Sequence, residues 1–125
     1  MTQDGTDFSP AWHAVTLAVD SVDPGALARF WAALLGGTAQ VDSDGDATVL
    51  APNSLTIDFL RVPEVKTVKN RLHLDLRAVS YDDAVAAALR LGATRADDIH
   101  DGGEWQVLRD PEGHEFCILR PSVAR

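Results

Sequence analysis

An α+β fold of two βαβββ modules, with curved sheets around a cleft, is the architecture this sequence predicts. Three observations carry that reading. Strand-like and helix-like segments run in the order β-α-β-β-β, and the order then repeats. The two helix ends resemble each other, ALLGGT at 33–38 against LRLGAT at 89–94, with Gly92 following Gly36 by 56 positions. The strand segments alternate apolar and polar side chains, giving each sheet one face for a helix and one for the cleft.

HAVTLAV at 13–19 is apolar and rich in β-branched residues, and reads as the first strand. DPGALARFWAALLGG at 23–37 reads as a helix. Asp23 is an N-cap and Pro24 suits the first helical position. Leu27, Phe30, Trp31, Leu34 and Leu35 share a core-facing stripe, and Gly36 and Gly37 supply the stop. TAQV and ATVLA flank DSDGD, whose Asp44-Gly45 pair is a hairpin signal. DSDGD lacks the sixth-position glycine and distal glutamate of an EF-hand calcium loop and is read as a turn. LTIDFLRV at 55–62 closes the first module.

RLHLDLR at 71–77 alternates, which predicts a strand with Leu72, Leu74 and Leu76 toward a helix and His73 and Asp75 toward the hollow. SYDDAVAAALRLG at 80–92 is the second helix, with a Ser80/Asp83 capping box and Gly92 as its stop. ATRAD, EWQVLR and HEFCIL follow as strands, the last two joined by the turn Asp110-Pro111-Glu112-Gly113. The expected organisation is a single domain over 1–125: one module at about 12–62, a linker at 63–70 and a second module at about 71–120.

With 125 residues, 46% of them hydrophobic and 24% charged, the chain suits a domain with its own core. No apolar run has the roughly 20 residues of a membrane helix, so no membrane partner is expected. A net charge of −8 argues against nucleic acid as a partner. The polar, acidic start MTQDGTDFSP has no secretory pattern, and a lone cysteine forms no internal disulfide; both point to the cytoplasm.

The doubled βαβββ order ending in DPEGHEFCIL resembles the vicinal oxygen chelate superfamily, which includes glyoxalase I, extradiol dioxygenases, fosfomycin-modifying enzymes and bleomycin-resistance proteins. More narrowly, DPGALARFWAALLG, RVPEVKTVKNRLHLDL and DPEGHEFCIL together look like bacterial glyoxalase-like domain proteins. The likeness covers about residues 13–120. It implies a glyoxalase/bleomycin resistance/dioxygenase fold and a small organic metabolite bound between the sheets. For an enzyme it implies lyase or isomerase chemistry by proton transfer, with or without a divalent metal. The alternative it implies is a non-enzymatic protein that sequesters a drug. Relatives commonly pair as homodimers.

In the metal-dependent members, ligands project into the cleft from the first and last strands of each module. His73 stands where that pattern has a histidine in the second module, against the reading of an ordinary polar-face histidine. Cys117 lies four residues after Gly113, where the pattern has a glutamate, with Glu115 two residues earlier on the same face. A small semi-apolar filler is the other reading of Cys117. Asp58, between Ile57 and Phe59, is the closing-strand carboxylate of the first module, or else a solvent-facing aspartate. Counting back from the helix stops sets the first-strand position at Leu17, one residue from Thr16; His13 is out of register unless the loop VDSVDP absorbs the difference.

The candidate metal set is therefore His73, Asp58 and Cys117 for zinc, nickel, manganese or iron, and it is incomplete. His73 and Asp58 are the candidate catalytic residues, and Trp105, Asp75, Cys117 and Thr16 the candidate ligand-binding ones. Trp105 follows a glycine pair and either walls a pocket or simply packs. Trp31 and Phe30 read as core. Trp12 either extends the pocket or covers the sheet edge. Arg61, Lys66, Lys69 and Arg71 cluster around the linker, as an attraction for an anion or as a solvated segment.

Overall fold

Asp23 and Gly36 bracket the first helix as their chemistry requires. In the computed structural model, which describes residues 16–100 and 102–121, α1 runs over Pro24–Leu35. The Asp23 carboxylate accepts the Ala26 N–H, and Gly36 takes the left-handed φ of 72°. Gly37 then passes so close to the next strands that a Cβ there would sit 2.3 Å from the Leu50 carbonyl oxygen. Only glycine permits that approach.

β1 (Thr16–Ser21), β2 (Thr38–Val41), β3 (Ala47–Leu50) and β4 (Thr56–Arg61) make the first sheet, in the order β1-β4-β3-β2. β1 and β4 are parallel, and the other pairs are antiparallel hairpin neighbours. β5 (Asp75–Arg77), α2 (Tyr81–Leu91), β6 (Thr94–Arg95), β7 (Trp105–Arg109) and β8 (Glu115–Leu119) repeat the plan, with sheet order β5-β8-β7-β6. The expected two βαβββ modules are therefore present. Ser80 departs from its predicted role: its hydroxyl donates to the Asp83 carboxylate at 2.7 Å and caps no backbone N–H.

The strand predicted over 71–77 is shorter than its alternation suggests. Ladder pairing begins at Asp75, and Leu72 is 66% exposed. The cause is tertiary. Glu115 accepts the Asn70 N–H at 2.9 Å and pairs with Lys66 at 3.0 Å, which ties the preceding segment across β8 as a strap. Leu74 and Leu76 do face the core, as expected.

Both modules share one core. Ala47, Val49, Ile57 and Phe59 of the first sheet and Phe116 and Ile118 of β8 bury against α1 and α2. Phe116 packs edge-on to Trp31, with ring centroids 4.8 Å apart, and lies 6.1 Å from Phe30. The other face of β8 is buried too, with Cys117 and Leu119 packing against Ala96 and Val107.

The turn after β7 locks the two modules together. Glu112 accepts the Ser21 hydroxyl at 2.7 Å and the N–H groups of Val22 and Asp23 at 3.0 Å each. Asp110 accepts the Trp31 indole N–H at 2.9 Å and the backbone N–H groups of Glu112 and His114. The His114 ring lies 3.1 Å from the same carboxylate. Burial opposes charge on His114, but Asp110, Glu112 and the Asp20 backbone outweigh it and hold its pKa above the ordinary 6.5. A raised pKa gives stability that is fully present below about pH 6.5 and is lost as pH rises through the folded-state value. We expect the stability of the wild type to show that loss as pH rises above about 6.5, and His114→Gln to lack it. Equal pH profiles for the two proteins in denaturant titrations would remove the latch histidine from the account.

Candidate functional site

The polar face of the second sheet holds the residues with chemistry to offer. Asp75 pairs in register with Cys117 across the parallel β5–β8 ladder, so the two side chains leave the sheet side by side. His73 lies two residues upstream, with Nε2 3.2 Å from Asp75 Oδ1. One imidazole nitrogen, one carboxylate oxygen and the Cys117 sulfur all lie within 4.8 Å of one another. His73 and Asp75 are partly accessible, at 28% and 38%, while Cys117 is 2% exposed.

His73 and Cys117 line a cavity of ≈ 300 Å³, with Asp75 held against His73 beside it. Trp105, Val107 and Ile99 give it apolar walls, and Lys69 and the buried Glu115 add charged side chains to its lining. Burial alone would push the Glu115 carboxyl up. The Asn70 N–H and the Lys66 ammonium overcome that and hold it below the ordinary carboxylate range. Glu115 is thus an anchored carboxylate already engaged with the strap.

The sequence candidates fall into two groups. His73, Trp105 and Cys117 line this cavity, and Asp75 lies against His73. Asp58 and Thr16 lie on the first sheet. Asp58 accepts the Thr48 hydroxyl at 2.8 Å and stands opposite Ala18, while Thr16 pairs with Thr56. Neither borders the cavity of the second sheet. His13 and Trp12 fall outside the described residues. Of the basic cluster, Lys66 holds Glu115 and Lys69 lines the cavity.

Sequence reasoning missed His100. Its ring stacks on Trp105, with centroids 4.1 Å apart and planes 22° from parallel, and it lines the same cavity. The only signal for it was the glycine pair in HDGGEW. Gly102 and Gly103 take φ of 99° and 108°, and the chain folds back between His100 and Trp105.

The matching family model is the glyoxalase-like domain, over residues 16–119. The chain belongs to the glyoxalase-like domain family. Among solved structures, this glyoxalase-like domain is similar to a glyoxalase/bleomycin resistance protein/dioxygenase family enzyme from Burkholderia phytofirmans PsJN. The identity is 20% and the TM-score 0.67, covering 84% of this chain and 95% of that one. It is also similar to a glyoxalase/bleomycin resistance protein from Albidiferax ferrireducens T118, at 21% identity and TM-score 0.59 over 84% and 95% of the two chains. An antibiotic binding protein from Streptomyces sp. CB03234 matches at 16% identity and TM-score 0.62, over 92% and 100%. These likenesses show the fold. No curated protein matches the chain. Among the described residues, no helix is long and apolar enough to cross a membrane.

A divalent metal, which the wider superfamily suggests, can be tested against the donors present. An imidazole, a carboxylate and a thiolate fit a three-ligand zinc site with one open position. Bond lengths of about 2.0–2.3 Å place tetrahedral ligand atoms about 3.5 Å apart, so spacings within 4.8 Å need only side-chain adjustment. The matching trio is His73, Asp75 and Cys117. Asp58, in the sequence-based set, does not join it.

Proposed function

We propose that this glyoxalase-like domain, acting as one unit over its length, binds a small organic metabolite in the cavity beside His73, Trp105 and Cys117. We further propose that it acts on that metabolite by proton transfer, as a lyase or isomerase. The convergence of His73, Asp75 and Cys117 within 4.8 Å, against apolar and aromatic walls, carries this reading. His73 takes a proton from a carbon next to a carbonyl, and the freed electron pair moves toward the carbonyl oxygen. The proton then returns to another carbon, or a leaving group departs. Asp75, 3.2 Å from Nε2, orients the ring and stabilises the imidazolium. Cys117 shapes the floor and Trp105 a wall.

A zinc, nickel, manganese or iron ion would be held by His73, Asp75 and Cys117 and would supply Lewis acidity to the ligand's oxygens. We also propose a homodimer, working in the cytoplasm, in which Asp58 and Thr16 of the first sheet belong to the ligand-binding surface.

Titration with zinc tests the site. His73→Ala is expected to weaken zinc binding at least about 100-fold, since even outer-shell changes cost 10- to 100-fold. The second reading is sequestration without chemistry, favoured by the apolar walls and the likeness to an antibiotic binding protein. A wild type that binds no zinc but is thermally stabilised by cationic aromatic compounds would establish the second reading over the first.

A further inference from the structure

The Nδ1 atom of His100 accepts a hydrogen bond from the Gly102 N–H at 3.2 Å. A ring nitrogen that accepts carries no proton, so in the neutral imidazole the proton resides on Nε2. The tautomer is thus set by the residue's own loop. The plane is set separately, by the stack on Trp105 at 4.1 Å. A ring held in both respects spends little entropy on meeting a ligand. Because Nδ1 is turned to Gly102, what this ring offers the cavity is the opposite edge, an N–H.

We propose that His100 is the cavity's fixed hydrogen-bond donor, and that the ligand class it selects is a small carbonyl compound whose oxygen accepts from Nε2–H. The inference rests on the functional reading above and deepens it. With His73 beside Asp75, the two imidazoles divide the work: one exchanges a proton with carbon, and the other holds the oxygen on which the electron pair accumulates. In a cavity walled mainly by apolar side chains, one oriented donor discriminates between shapes that match and differ only in an acceptor.

Acetophenone and α-methylstyrene test this, because the second replaces the carbonyl oxygen with a CH₂ group and keeps the shape. Binding is followed by NMR at the Trp105 indole N–H. The wild type is expected to prefer acetophenone by about tenfold. His100→Phe, which keeps the stack, is expected to lose the preference, and His100→Gln, which keeps a donor, to retain part of it. Long-range ¹H–¹⁵N spectra of the wild type at alkaline pH should place the His100 proton on Nε2, a measurement that needs no variant. Equal affinities for the two probes, a preference surviving in His100→Phe, or a proton on Nδ1 would each overturn the donor role and leave the cavity reading standing. If neither probe perturbs Trp105, both readings fall together.

Discussion

Asp110→Ala is expected to lower stability by about 3–5 kcal/mol, because it strands partners that nothing else can serve. The Asp110 side chain is 1% exposed. Its carboxylate accepts the Trp31 indole N–H at 2.9 Å, the Glu112 N–H at 2.9 Å and the His114 N–H at 3.0 Å. It also faces the His114 ring at 3.1 Å. Removing it leaves an indole donor and two backbone donors unsatisfied, and leaves the imidazolium without its counter-charge. Each unsatisfied buried donor costs about 1–3 kcal/mol, so the total reaches most of what a marginally stable domain has to lose. Urea denaturation at about pH 6, where His114 is charged, gives the largest effect. A loss below about 1 kcal/mol would mean that water enters and takes over the acceptor role.

Phe116→Ala is expected to cost about 3–5 kcal/mol and to destabilise both modules at once. Phe116 is 1% exposed and belongs to β8 of the second module, yet its ring packs on Trp31 and Phe30 of α1 in the first. Truncation opens a void at the junction, and residues from two sheets cannot collapse into it together. Fluorescence of the tryptophans and far-UV circular dichroism should then give coincident transitions at lower denaturant. Separate transitions in the wild type would show that the modules unfold independently and that this ring does not couple them.

The parts of the fold set by neighbours in sequence were readable in advance. Asp23, Pro24 and Gly36 define a helix through local hydrogen bonding and backbone freedom, and the alternation of TIDFLR places Ile57 and Phe59 inward wherever the strand docks. The parts set by distant partners were not. Alternation over 71–77 suggested a full strand, but the Glu115 bonds to Asn70 and Lys66 decide where the ladder starts. The Asp-Pro-Glu-Gly turn was recognised as a turn. That its two carboxylates hold Trp31 and the start of α1, roughly 80–90 positions away, cannot be seen in the turn itself. His73 and Cys117 meet because equivalent positions of the first and last strands of a module become neighbours. That relation could be inferred from the repeat. Their separation from Asp58 and Thr16 depends on which faces of the two sheets share the core.

The parallel pairing of each module's first and last strands also bears on the order of events when the chain folds. Asp75 meets Cys117 only after some 40 intervening residues have been looped together, and the β5 ladder that rewards this closure is three residues long. Pairings that are distant along the chain and brief along the ladder form late and reopen early. Asp75 opens that strand and His73 lies two residues before it. Transient detachment of β5 would therefore dissolve the cluster while the helices and the opposite sheet stay intact, and the lifetime of the assembled site would be shorter than that of the protein around it.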